Sequence, residues 1–505
     1  MTVDRRNFLA TAAAAAVFLQ IRPRAYAAEP KSVDDAALAE LRKRFGDRLI
    51  APTDARYEVA RKVRNRDFDG VRPRALVLPS SPDEVRFALQ WAVDRKVPVV
   101  PRGGGHSYIG QSTCDGLVIA LYGMAATTVD KAAMTAEVGA GALNVDANVA
   151  LLTQGVALPT GSCPSVGVAG LTLGGGIGFS SRAWGLMCDN LIGATLVVPS
   201  GEVLEVDEAH RPEVLWALRG GGGGQFGIVT SFRFRVHPVE PISEYEIRWP
   251  WSAADKVLDA WQRFAPDAPD ALFSVCMLAR GKSEPQLLSH GRFQGPASVL
   301  KKVLAPLVSA AKPSSGPRVY DTTLWASHVE GPKCAPDPSA CHIWNHPQPG
   351  RYQQASYIVK SDFFARSLDD AGRATLIRGI EGIQRQAVSW GGIILDALGG
   401  AINRVPPDKT AYVHRGHRFQ AEYVAHWNQG TAPAKVEANR AWMRSLYESM
   451  RPWASGECYQ NYPDLDRADW KKAYYGDNLV HLERMKAMLD PGRTFQGRQV
   501  LDPVP

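Results

Sequence analysis

Val97-Pro-Val-Val100-Pro-Arg102-Gly103-Gly104-Gly105-His106-Ser107-Tyr108 decides how this chain is read, because a β-branched run that ends in three glycines presents bare backbone. The run has a partner upstream. Residues 75–78 (Ala-Leu-Val-Leu) read as a short buried strand. Ser81 in Ser81-Pro-Asp-Glu84 reads as an N-cap, 85–94 as the helix it starts and 97–100 as a second strand. A strand, a capped helix and a strand thus deliver the chain into the glycines. Three adjacent glycines offer several unhindered N–H groups, for which pyrophosphate oxygens are natural acceptors. The loop is neither G-x-G-x-x-G nor a Walker A motif, since no Gly-Lys-Ser/Thr follows.

Further along, 117–121 and 137–139 read as strands, 142–154 as a helix, and 194–198 with 203–206 as a hairpin about a Pro-Ser-Gly turn. A strand over 228–236 is broken by His237-Pro238, where the first domain boundary falls. From 241 to 456 strands alternate with helices such as 256–264 and 373–386. Before the first strand, 34–44 has helical periodicity with Ala37, Leu38 and Leu41 on one face.

The 505 residues, 45% hydrophobic and 22% charged, suffice for two domains with sizeable cores. The net charge of +7 is spread over 58 Lys and Arg among 51 Asp and Glu without a basic block, which argues against a nucleic-acid partner. Residues 1–27 differ in kind: Asp4-Arg5-Arg6-Asn7-Phe8-Leu9, an Ala-rich apolar run and Ala25-Tyr26-Ala27 form a signal-peptide pattern. Its paired arginines resemble a twin-arginine signal, with Asp4 where Ser or Thr is more usual. The expectation is a periplasmic or secreted protein, handled by the twin-arginine machinery, beginning near Ala28 and lacking a membrane span. Seven cysteines cannot all pair internally; Cys334 and Cys341, in a Pro-rich loop, are candidates for a local disulfide. His414-Arg-Gly-His417 and the pair His342 and His346 lack an H-E-x-x-H motif or a Cys–His set, so they read as surface or loop residues and no metal is expected. No Gly-x-Ser-x-Gly elbow is present, which argues against a hydrolase.

Two more stretches join the triple glycine: Gly161-Ser-Cys163-Pro-Ser-Val166-Gly167-Val-Ala-Gly170 and Leu173-Gly174-Gly175-Gly176-Ile-Gly178. Together they resemble the berberine bridge enzyme-like subgroup of the vanillyl-alcohol oxidase, or PCMH-type, FAD-linked oxidoreductases. Trp216 to Thr230, through Gly227-Ile228-Val229, and Tyr459-Gln-Asn461-Tyr462-Pro-Asp464 extend the resemblance, although Gln225 stands where the family usually has Asn. It implies an α+β fold. A PCMH-type FAD-binding domain would span 67–238, after a helical segment at 28–66. An α/β substrate domain with an antiparallel sheet would span 239–455, and 456–505 would return to the FAD domain. It also implies FAD held twice, through His106 to the 8α-methyl group and through Cys163 to carbon 6. An imidazole nitrogen and a thiolate are the side-chain nucleophiles suited to an electron-poor ring. Other cofactor contacts are expected from Arg102, Gly103, Gly104, Gly105, Ser107, Tyr108, Gly110, Gly161, Val166, Gly167, Gly170, Gly174, Gly175, Gly176, Gly178, Gly227, Ile228, Val229 and Asn461.

Oxidation at such a flavin needs a base for one proton while hydride moves to N5. By resemblance Tyr459, with Asn461 beside it, is one candidate. Glu422, in Arg418-Phe-Gln420-Ala-Glu422, is another, because burial in an apolar wall raises a carboxyl into a useful range. Gln420 and His414 are expected to touch substrate. Val166, three residues after the linking Cys, resembles a gate that admits dioxygen. The reading is an oxidase that converts an alcohol or hemiacetal (a saccharide, glycoside or secondary metabolite) and makes hydrogen peroxide. A dehydrogenase with another acceptor and a non-catalytic flavin- or sugar-binding protein are the alternatives.

Overall fold

The computed structural model describes residues 35–504; the expected signal segment, 1–27, lies outside the described residues. Strand Ala75–Val77, helix Pro82–Asp94 and strand Val99–Arg102 follow one another, and both strands pair in parallel with Leu117–Ala120. Leu49–Ile50 adds an antiparallel edge, completing a four-stranded sheet. The helix starts where Ser81 Oγ accepts the Glu84 N–H at 3.3 Å, and it buries Val85, Ala88, Leu89 and Ala92 completely. Each large side chain among these contributes about 1.5–3 kcal/mol by leaving water.

A second sheet of five antiparallel strands runs Thr127–Asp130, Thr135–Gly139, Ile228–Arg235, Leu191–Val197, Val203–Asp207. In Ile228–Arg235 the period of two puts Phe232 and Phe234 inside and Arg233 and Arg235 outside. His237–Pro238, read from sequence as a break, pairs with Val156–Ala157 as a two-residue ribbon.

The middle of the chain forms a seven-stranded antiparallel sheet: Arg318–Thr322, Ile242–Trp249, Gln286–Gln294, Leu272–Ala279, Trp390–Ala397, Phe419–Trp427, Ser356–Phe364. Helices Ala254–Phe264, Asp370–Glu381 and Pro433–Met450 cover one face, where Trp261, Leu376 and Met443 meet Phe419, Ala421 and Tyr423. Asp370–Glu381 begins three residues before the sequence reading because Asp369 Oδ1 caps it, accepting the Gly372 N–H at 2.8 Å. Alternation along Phe419–Trp427 leaves Gln420, Glu422 and Val424 on the uncovered face.

Helices Trp470–Tyr475 and Leu479–Leu489 then carry the chain back, and Leu482, Met485, Phe495 and Leu501 join the core of the N-terminal half. Gln225 clasps the returning strand: its Oε1 accepts the Leu501 N–H at 2.9 Å and its Nε2 donates to the Gln499 carbonyl at 3.2 Å. Lys486 Nζ reaches the Gln225 carbonyl and Asp490 Oδ2, each at 2.6 Å, and both charged side chains are wholly buried. Cys334 and Cys341 form a disulfide with Cα atoms 5.3 Å apart.

Candidate active site

Where strand Val99–Arg102 ends, Gly103–Gly105 turn the chain into the wall of a cavity of about 400 Å3, and His106 follows. The loop carrying Cys163 is pressed against this turn. A Cβ on Gly104 would lie 2.3 Å from the Gly167 nitrogen, so only two glycines permit the approach. Ser165 joins the two loops chemically: its Oγ lies 3.0 Å from His106 Nε2 and 3.5 Å from Cys163 Sγ. Burial, aided by the nearby Arg64 charge, pushes the His106 imidazole down to about 3, so the ring is neutral and its lone pair available. Asn144 Nδ2 holds the Cys163 carbonyl at 3.0 Å.

Other glycines in the wall meet open space. A Cβ on Gly170 would find nothing within 4 Å, and one on Gly223 or Gly224 nothing closer than 3.8 Å. Ser112 Oγ and Asn144 Oδ1, both from lining residues, are buried without a hydrogen-bond partner among the described residues. Bare peptide, unsatisfied polar atoms and two nucleophiles sharing one hydroxyl fit a ligand with both a pyrophosphate and an electrophilic ring.

Tyr459, Asn461, Tyr462, Tyr108 and Glu422 line the same cavity. Tyr459 Oη accepts the Gly176 N–H at 2.9 Å and Asn461 Nδ2 at 3.0 Å, which favours the phenolate, yet burial prevails and carries the phenol up to about 12. Glu422 accepts the Tyr108 hydroxyl at 2.9 Å, and burial raises its carboxyl to about 7. Asp396 stands one strand over, opposite Gln420 and diagonal to Glu422; burial, then the Glu422 charge, raises it to about 7 as well. Tyr462 links these groups. Its ring packs edge-on to Tyr459 at 4.9 Å between centroids and stacks on Tyr108 at 5.5 Å, and both carboxyls act on its hydroxyl.

A family model described as FAD binding domain matches residues 73–207, and one described as Berberine and berberine like matches 458–500. The FAD-linked oxidoreductase YgaK of Bacillus subtilis is 33% identical over 462 residues, 90% of this chain and 97% of its own length. The chain belongs to the berberine bridge enzyme-like FAD-linked oxidoreductases. The xylooligosaccharide oxidase of Thermothelomyces thermophilus is 30% identical over 85% of this chain and 87% of that one. The solved structure of BBE-like 1 from Physcomitrella patens superposes with a TM-score of 0.83 at 29% identity, over 93% of this chain and 99% of its own. The protein is thus an FAD-linked oxidoreductase with an α+β, PCMH-type FAD-binding fold.

Most of the residues named from sequence meet at the oxidoreductase's cavity: Gly103, Gly104, Gly105, His106, Ser107, Tyr108, Gly161, Cys163, Val166, Gly167, Gly170, Gly227, Val229, Glu422, Tyr459 and Asn461 all line it. Others lie elsewhere. Arg102 is wholly buried and spends its guanidinium on the carbonyls of Ala60, Arg61 and Ser112, so it braces the fold behind the wall. Gly110 packs on the Phe68 ring, and Ile228 faces the core. Gly174, Gly175, Gly176 and Gly178 are outside the lining; a Cβ on Gly174 would meet Asn461 at 2.1 Å and one on Gly178 the Thr160 carbonyl at 2.0 Å. Those glycines admit the close approach of neighbouring chain.

Gln420 and His414 are also outside the lining. Gln420 is fully buried next to Asp396, and its side chain acts on the Tyr462 hydroxyl. His414 and His417, read as surface or loop residues, are buried. Both ring nitrogens facing Glu457 Oε2 sit at hydrogen-bond distance, 2.6 and 3.0 Å, and the three groups offer ligand atoms within 4.8 Å of one another. Burial works to raise the Glu457 carboxyl, and the two histidine hydrogen bonds overcome it and hold it at about 2. His414 Nε2 continues the chain to Gln460 Oε1 at 3.1 Å, and Gln460 lines the cavity. The sequence reading missed Ser165, Asp396, Gln460 and Tyr462. A lone carboxylate in the apolar run Ile393-Ile-Leu-Asp396-Ala-Leu398 was the available signal for Asp396.

Proposed function

We propose that this oxidoreductase is an exported oxidase that takes hydride from an alcohol or hemiacetal carbon of a saccharide, glycoside or secondary metabolite and makes hydrogen peroxide. His106 and Cys163 would hold FAD at two points. The observation that carries the reading is one cavity wall with two nucleophiles meeting at Ser165 Oγ together with a doubly hydrogen-bonded tyrosine beside raised carboxyls. Bound there, FAD supplies the hydride acceptor and the route to dioxygen. The protein's own part is proton handling. The substrate hydroxyl gives its proton to Tyr459 Oη as the neutral phenol passes its own proton on, and the negative charge that develops on Oη in this relay is met by the Gly176 N–H and Asn461 Nδ2. A phenol near 12 cannot remain ionised at neutral pH, so the proton's resting place is the carboxyl pair of Glu422 and Asp396, both near 7.

Relatives named as oligosaccharide oxidases support a saccharide, and the small Val166 side chain in the lining supports access for dioxygen. Residues 1–27 support export, which fractionation of the producing cells tests directly. A peroxide-coupled screen of sugars, aryl alcohols and glycosides tests the activity; flavin bleaching without peroxide would replace the oxidase by a dehydrogenase. Tyr459→Phe should slow flavin reduction by about 10²–10⁴-fold while acid-precipitated protein stays yellow. Undiminished reduction removes Tyr459 from the mechanism, and a colourless pellet removes the covalent attachment.

A further inference from the structure

We infer that a second pocket, beside the cofactor cavity, is a subsite for a carboxylate carried by the substrate, so that the preferred saccharide is acidic. The inference rests on the saccharide reading above and adds a substrate class to it. The pocket, of about 540 Å3, lies between residues 331–333 and 351–355 and is lined by Arg64, Lys333, Arg351, Tyr352, Gln353 and Gln354.

Three cations share this space. Arg64 Nη1 donates to the Gln353 carbonyl, while Arg351 donates to the Lys333 carbonyl at 2.7 Å and to that of Pro332. These bonds fix the guanidinium planes without neutralising them, and among the described residues no carboxylate forms an ion pair with any of the three. Acids on the adjoining turn are engaged elsewhere: Asp67 pairs with Arg440 at 2.6 Å, and Asp69 accepts Gln354 Nε2 at 2.6 Å. Gathering like charges costs free energy that an anionic ligand removes. Arg64, whose guanidinium keeps spare N–H groups, and the Lys333 ammonium suit a carboxylate, the Gln353 carboxamide suits a sugar hydroxyl, and Arg351, laid over the Tyr352 ring at 5.7 Å and bonded to Cys341 Sγ at 3.3 Å, adds a fixed positive charge.

The chain segments that line the pocket adjoin those that line the cofactor cavity. The Arg64 N–H donates to the Gly105 carbonyl at 3.0 Å, one residue before His106. The loop is anchored to the FAD-binding half by Asn345 Nδ2 on the Lys62 carbonyl at 2.6 Å and Gln354 Nε2 on that of Val63 at 2.9 Å. The disulfide Cys334–Cys341 closes its other side, next to Lys333.

The test compares cello-oligosaccharides of two to four residues with the same oligomers carrying a uronate at the non-reducing end, on the holoenzyme. The acidic series should show a kcat/KM about tenfold higher at low salt, through KM, and the advantage should vanish at about 0.5 M sodium chloride. Lys333→Gln, at an exposed site that leaves packing intact, and Arg351→Gln should each cut the acidic-to-neutral ratio about threefold. Equal kcat/KM for the two series, or a ratio unmoved by both substitutions, overturns the subsite. If neither series is oxidised, the saccharide reading falls, and calorimetry decides the subsite separately. Binding of the uronate oligomers that is weakened in the Lys333→Gln/Arg351→Gln double variant sustains it, and absence of binding ends it.

Discussion

Asp396 and Glu422 are carboxyls that ordinarily ionise near pH 4, and burial holds both near 7 on neighbouring strands. Two consequences follow for pH. Flavin reduction by substrate should rise with pH through about 7 as the pair ionises, and Glu422→Gln should move that limb toward acid by removing the like charge beside Asp396. Stability runs the other way. Both folded and unfolded chains hold these protons below about pH 4; from there to about 7 only the fold retains them, so the stability they confer is full at acid pH and lost above 7. Asp396→Asn/Glu422→Gln should therefore match the parent near pH 4 and exceed it near pH 8 by several kcal/mol, up to about 8 if both shifts are fully expressed. Thermal unfolding at the two pH values checks this, and an unchanged gap between them would refute it. Glu422 and Tyr459 were legible because they sit in recognisable stretches. Asp396 was not, because its partner Glu422 is 26 positions away in sequence and becomes a neighbour only through strand register.

The glycine runs mark where one element touches another, and the structure divides them into two uses. Gly104 and Gly167 bring two loops into backbone contact and thereby place His106 and Cys163 about one hydroxyl, whereas Gly170, Gly223 and Gly224 leave backbone facing the cavity. Gly167→Ala would set a Cβ 2.2 Å from the Gly104 nitrogen, and the loops must part. Expected are a loss of about 1–3 kcal/mol and a protein whose flavin is released by acid. Gly70→Ala, outside the cavity lining and with nothing within 4 Å of its added methyl group, is the control; acid-stable flavin retained at parental level in Gly167→Ala would refute the argument. From sequence the runs announced close approach without saying what approached. Gly174 and Gly178 were assigned to the cofactor, yet a Cβ there would strike Asn461 and Thr160. Strands and the capped helix were legible to within a few residues since periodicity and caps are local, while the seven-strand order depends on pairings far apart in the chain.

Across the whole molecule, residues 470–504 lie against the first half of the chain, held by Gln225 and the buried Lys486–Asp490 pair. Asp490→Ala strands a buried ammonium and should cost about 3–5 kcal/mol, whereas Lys486→Met/Asp490→Leu, which removes both charges, should cost far less. Chemical denaturation of the three proteins distinguishes these outcomes; equal losses would show that packing, not charge, sets the cost. Sequence made the return legible as a resemblance and hid its fastening, since Gln225 counted only as a departure from the family pattern. The return also fixes an order of events. Phe495, Gly497, Gln499 and Val500 complete the cavity wall beside strand Val99–Arg102, where Phe495 bridges to Val99, so the ribosome makes the first part of that wall some four hundred residues before the last part exists. A chain still being translated has no enclosed chamber to receive a prosthetic group. FAD loading is therefore expected to follow synthesis of the returning segment.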